Sequence, residues 1–411
     1  MDVQTPSPLG LRRSFGFGDR LGLATPGHLA AVKGTSFTPI FAQQSIREMT
    51  RTQRTPAEVM GCATKALSDG SYTDAWGADG DHLQTPEDVQ AVADAGFCFF
   101  TIDPSHHVHC EADAMHEDQL SQRYAELQDD FDLERSDVMD LYLGKSHQVS
   151  ADIEVQFDDE SALHRALVKY GAALRQAGVM AKAIATASGS KAFELELSID
   201  ETDTATTPME HLFLGLELQR RNVSIISLAP RFVGDFEKGI DYRGDLAAFT
   251  EHYTAHAAIA HYCGPYKLSI HSGSDKFTAY PIMGRISGEH LHVKTAGTSY
   301  LEALRVLCRV DRPLLREIVA FSRNRFERDR ATYQISGELS HVDANPADEA
   351  LEQDYLEHDA GRQILHVTYG SVLTDGGFKD RLMENLDRHA DLHTELLEAH
   401  LGKHIARLED R

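Results

Sequence analysis

Three observations predict a (β/α)8 TIM-type barrel: about eight apolar runs of strand length, helical patterns alternating with them, and 411 residues in which to fit the ~250 that such a barrel needs. Strands alternating with helices imply right-handed βαβ crossovers and a parallel sheet. The surplus is expected as a polar helical insertion at about 104–190 and extra helices, around Arg312 to Arg330 and at about 378–411, on one catalytic domain spanning 1–411.

Taken in order, weak strand signals lie near Gly16 to Leu23 and near Trp76, and a buried-strand run follows at Phe97 to Ile102. Phe193 to Ile199 alternates with period two. Val223 to Leu228, Leu268 to Ile270, Leu291 to Val293 and Ile364 to Val367 complete the set. Thr207-Pro208-Met209-Glu210 and Ser299-Tyr300-Leu301-Glu302 read as capping boxes that open helices. Trp76, beside Gly77 and Asp79, reads as packing rather than a sugar platform.

Forty basic against 64 acidic residues leave a net charge of −24, which argues against a nucleic-acid backbone or an anionic membrane as partner. Five scattered cysteines contain no Cys-x-x-Cys, and no run approaches the ~18 apolar residues of a membrane span. The stretch Met1 to Phe17 lacks the apolar centre of a signal peptide. A cytoplasmic enzyme is expected; a homo-oligomer is compatible with the sequence.

The strand at 193–201 carries most of the functional information. Phe193, Leu195, Leu197 and Ile199 occupy one face, and Glu194, Glu196, Ser198 and Asp200 the other. A parallel strand is ordinarily apolar on both faces, so the acidic face is expected inside the barrel, paired or metal-bound. The same parity places Asp103, His271, His292, Lys294 and His366 at strand ends, where barrel active sites form. Asp200, Glu201, His271 and His366 are the expected ligands of a divalent ion, Zn, Mn, Ni, Co or Fe, with His292 in reserve. Asp103 and Lys294 are the acid/base candidates; a salt bridge from Lys294 to Glu196 is the competing reading. Arg231, Ser272, Asp275, Lys276 and His292 are expected to bind substrate, Arg231 or Lys276 through its carboxylate; Asp275 reads equally as a helix cap. The tract Ser105 to Cys110 reads as a solvated loop, and Gly16-x-Gly18 with Gly22 departs from dinucleotide-loop spacing.

Several longer segments are specific. Ser14 to Gly22, Ala229 to Gly234, Tyr266 to Phe277 and His292 to Leu304 resemble the tagaturonate epimerase family, as do Ile199 to Thr202 and Leu365 to Gly370. The likeness covers most of the chain, about Ser14 to Leu373; the segment 106–149 shows no such likeness and is expected as an insertion. The resemblance implies a metal-dependent barrel enzyme that interconverts D-tagaturonate and D-fructuronate, 5-keto hexonates differing at carbon 3, with some activity on the neutral pair fructose and tagatose. Carbon 3 is β to the ketone, so its C–H is not acidified by simple enolisation. Retro-aldol cleavage of C3–C4 or transient oxidation by a nicotinamide remains, and the polar strand ends favour the first. A class II type aldolase or sugar isomerase, and a non-catalytic carbohydrate-binding protein, are the competing readings.

Overall fold

The computed structural model describes residues 5–132 and 134–410. The ends of the 1–411 span therefore lie outside the described residues. Eight parallel strands close into a barrel: β1 (Ser14–Gly18), β2 (Thr38–Ser45), β3 (Gly77–Leu83), β4 (Phe99–Ile102), β5 (Glu194–Ile199), β6 (Ser227–Pro230), β7 (Lys267–Ile270) and β8 (Leu291–Thr295). Each strand lies beside its successor, and β8 closes on β1 with His292 opposite Ser14 and Lys294 opposite Gly16. A Cβ on Gly18 would collide with the backbone of Thr295 and Ala296, so that glycine serves barrel closure and not a nucleotide loop.

Parity holds on β5. Leu195, Leu197 and Ile199 join the shell between strands and helices, and Glu196 and Ser198 are buried inside the barrel. Leu9, Ile40 and Phe99 plug the bottom, so the polar layers above rest on an apolar floor.

Two strand assignments change. Ile364 to Val367 belongs to the helix Asp359–Val367, in which Ala360, Ile364 and Val367 form a buried helical face. A four-residue apolar run fits either period. The remaining strand is β2, disguised by Pro39 and by Gln43 and Gln44, whose buried side chains point to polar neighbours. Strand β6 starts at Ser227, later than the apolar run at 223–228. Thr207 and Glu210 form the expected capping box. Ser299 does not cap: its hydroxyl meets His28 at 2.8 Å, and Glu302 pairs with Arg305.

Between β4 and β5 the chain builds the helices Glu117–Leu127 and Arg135–Tyr142, a hairpin of Ser146–Gln148 with Glu154–Gln156, and the 29-residue helix Glu160–Ser188. After β8, the helices Thr298–Val310, Arg312–Asp329, Asp359–Val367, Tyr369–Thr374 and Lys379–Arg388 share a second apolar core around Leu304, Ile318, Leu365 and Val372. The last helix, Ala390–Glu409, returns to the barrel and packs on Thr25–Val32 and Tyr280–Ser287. There Gly27 admits Leu397, and Gly284 admits the backbone at Leu408. No helix among the described residues is long and apolar enough to cross a membrane.

Candidate active site

Successive strand residues normally face opposite sides. On β3 the register shifts between Gly80 and Leu83, and His82 adopts φ 51°. This bulge turns His82 toward the same mouth as Asp81, the re-aiming that bulges near functional sites perform. Asp81, His82 and His271 each offer a ligand atom, and those atoms lie within 4.8 Å of one another. Asp103 Oδ2 lies 3.1 Å from His82 Nδ1, and Glu196 Oε1 lies 2.6 Å from His271 Nε2. Each imidazole is thus held by a carboxylate from behind, which leaves His82 Nε2 and His271 Nδ1 for a ligand. Such carboxylate–imidazole pairs orient metal-binding histidines.

Below the imidazoles, Lys294 Nζ lies 2.8 Å from each of Asp79, Asp81 and Glu196 and donates to Thr101 Oγ1 at 2.6 Å. Burial would lower its pKa, but the three carboxylates outweigh burial and hold it well above the ordinary lysine value. The salt bridge to Glu196 is present, and Lys294 is the cation at the centre of an internal network of three carboxylates. Burial pushes the Asp79 carboxyl up to about 7. Burial also opposes charge on His82, yet Asp81 and Asp103 hold it up at about 10. Burial and Lys294 oppose charge on His271, and Asp200 and Glu196 hold it up at about 9. The mouth is a place that gathers positive charge.

A cavity of about 500 Å³ lies over these groups, with His82, Asp200, Glu201, Arg231, His271 and Ser272 among its walls. A narrower recess of about 60 Å³ adjoins it and brings in Asp81, Gly239 and His366. Of the expected ligands, His271 and Asp200 lie together, Nδ1 to Oδ1 at 3.4 Å. Glu201 stands on the rim, paired with Arg47 at 2.9 Å. His366 reaches the recess from a helix, and its buried Nδ1 has no hydrogen-bond partner. Burial and the nearby Arg20 keep it neutral.

Asp103 and Lys294 lie behind the cavity wall. Burial favours a protonated Asp103, but its bond to His82 brings the carboxyl down to about 2. Lys276 is turned away from the mouth and donates to the carbonyls of Glu237, Ser274 and Ile240. Asp275, with φ 61°, does not cap a helix: it pairs with Arg362 and His400, each at 2.7 Å. His292 lies deep, 2.9 Å from Ser14 Oγ, and burial brings it down to about 3. The tract 105–110 joins neither carboxylate–imidazole cluster among the described residues.

Sequence reasoning missed Asp79, Asp81, His82, Lys238 and the 332–336 segment that overhangs the cavity. Asp79 and Asp81 carry the parity signal used for β5, but Gly77 and Gly80 beside and between them left only a weak strand signal near Trp76. Gly80 is there because a Cβ would press on Val92 of the covering helix. The site brings together a cluster of N and O donors, a carboxylate on the cavity wall and several cations, a set suited to polarising a carbonyl and moving a hydroxyl proton.

The sequence matches the family described as tagaturonate epimerase over residues 1–408. The tagaturonate/fructuronate epimerase of Thermotoga maritima is 42% identical over 408 residues, 98% of this chain and 82% of that one. The native crystal structure of fructuronate-tagaturonate epimerase from Cohnella laeviribosi superimposes with a TM-score of 0.92 at 38% identity, covering 98% of this chain and 83% of that one. A glycerol complex of the same enzyme gives the same values.

Proposed function

The chain belongs to the tagaturonate epimerase family, and we propose that its barrel mouth interconverts D-tagaturonate and D-fructuronate by breaking and re-forming the C3–C4 bond with a divalent cation. It is an isomerase of a small sugar acid. The observation that carries the cation is the pair of imidazoles, His271 buried and His82 half-buried, each backed by a carboxylate and converging with Asp81. The donor set fits once the two ring protons are displaced on binding: one carboxylate and two neutral imidazoles suit Zn, Mn, Ni, Co or Fe. When bound, such an ion supplies Lewis acidity to the ketone, worth several kcal/mol of charge stabilisation.

The chain's own residues do the rest. Asp103 and Glu196 fix the two imidazole rings. Asp200 Oδ1 is tied to Ser198 Oγ at 2.6 Å, so Oδ2 is the atom that takes the C3-hydroxyl proton and returns it after the aldehyde has turned its other face. Neutral His366 accepts a hydrogen bond from a substrate hydroxyl at Nδ1. The 332–336 segment shields the reacting carbons from water. All five cysteines are free thiols, which suits a cytoplasmic site of action.

The test is proton NMR of purified protein with D-tagaturonate, stripped with EDTA and then reloaded with each divalent ion. Fructuronate that disappears on stripping and returns with one ion is expected. Full activity after complete metal removal would overturn the cation's role, and no turnover with any ion would overturn the substrate.

A further inference from the structure

The chain carries 64 acidic against 40 basic residues, so a cation facing a cavity without an acidic partner stands out. Four arginine and lysine side chains line the larger cavity: Arg47, Arg51, Arg231 and Lys238. Arg47 is neutralised by Glu201. Arg51 and Arg231 also have no carboxylate partner among the described residues, but their bonds go to Thr332 and Gln334, at 3.2 and 3.1 Å, and so brace the overhanging segment. Lys238 has one hydrogen bond, to Ser272 Oγ at 2.9 Å, and no carboxylate within ion-pair distance among the described residues. Two of its three N–H donors remain open. Lys238 and Ser272 line both the cavity and the recess, and so border His82 and His271.

The backbone around Lys238 is clamped. Buried Lys276 donates to the carbonyls of Glu237 and Ile240, and Arg362 donates to the Gly239 carbonyl at 2.7 Å. The adjacent acid is committed elsewhere: Glu237 Oε2 accepts from the Ser336 backbone and hydroxyl, each at 2.8 Å, and from Gln363 at 2.6 Å. A cation on a clamped backbone, with two open donors and no carboxylate partner, is prepared for an anionic ligand group.

We propose that Lys238, with Ser272, receives the substrate's carboxylate and so gives the site its preference for a uronate. The inference rests on the epimerase reading above. Lys238 Nζ donates to one carboxylate oxygen, and the Ser272 hydroxyl turns to donate to the other. With the ketone at the imidazole cluster, the carboxylate stands four bonds away along the sugar, which places it across the junction of the two compartments.

The test is steady-state kinetics on D-tagaturonate with the wild-type protein and the Lys238→Met, Lys238→Arg and Ser272→Ala variants, each checked by its thermal midpoint. The contact binds ground state and transition state alike, so Lys238→Met should raise KM roughly 10–100-fold with kcat changed little. Lys238→Arg should recover most of that loss, and Ser272→Ala should raise KM by less than Lys238→Met. A folded Lys238→Met protein with wild-type KM, or one that loses kcat at constant KM, would overturn the subsite and leave the epimerase reading intact. A wild-type protein that does not turn over tagaturonate would overturn both.

Discussion

A carboxylate is worth most here when it stands behind an imidazole. Asp103 was expected among the reacting groups, and its geometry makes it a support for His82. Asp103→Asn keeps the size and an acceptor for the Ser105 N–H, which now reaches Oδ1 at 3.0 Å, but removes the charge behind the ring. Divalent-ion affinity should fall about 10–100-fold with little change in thermal midpoint, as read by calorimetric titration; unchanged affinity would refute the support role. His271 and Asp200 were legible because β5 and β7 alternate cleanly. Asp81 and His82 were not, because the bulge puts two consecutive residues on one side and no two-residue period describes that. Lys276 and Lys238 show another limit. Both are lysines in polar loops, and only the fold tells which is consumed by backbone carbonyls and which is left open.

Among elements, the barrel strands were the readable part, since a strand buried on both sides leaves an apolar run or a parity pattern. Strand β2 was hidden by a proline and paired glutamines. The helix Asp359–Val367 passed for a strand because four apolar residues cannot fix a period. Docking of the last helix was invisible, for it depends on absent side chains: Gly27 and Gly284 matter through what they let approach. Gly284→Ala should force the Leu408 backbone away and cost ~1–3 kcal/mol. Gly402→Ala, on the same docked helix, meets nothing within 4 Å and should stabilise by ~0.5–1 kcal/mol. Urea unfolding of the two variants would show opposite signs; equal effects would mean that the docking is loose.

For the whole molecule, acid sensitivity follows from histidines buried away from water. Burial holds His28 at about 4 and His211 and His404 at about 3. Unfolded histidine titrates near pH 6.5, so below that the unfolded chain takes up protons that the native state refuses. The contribution of these three histidines is complete above about pH 7 and declines as pH falls toward their lowered values, by about 2 kcal/mol per buried histidine at pH 5. Thermal midpoints measured between pH 7 and 5 should drop steeply, and a flat profile would refute the assignment. Barrel closure has a consequence in time as well. Ser14 and His292 share a hydrogen bond across 278 positions, so β1 cannot gain its closing neighbour until that much further chain has been made. At ~5–20 residues per second, translation leaves that edge waiting ~14–56 s, a window in which a nascent chain would need a chaperone or the ribosome surface to keep it from pairing with another.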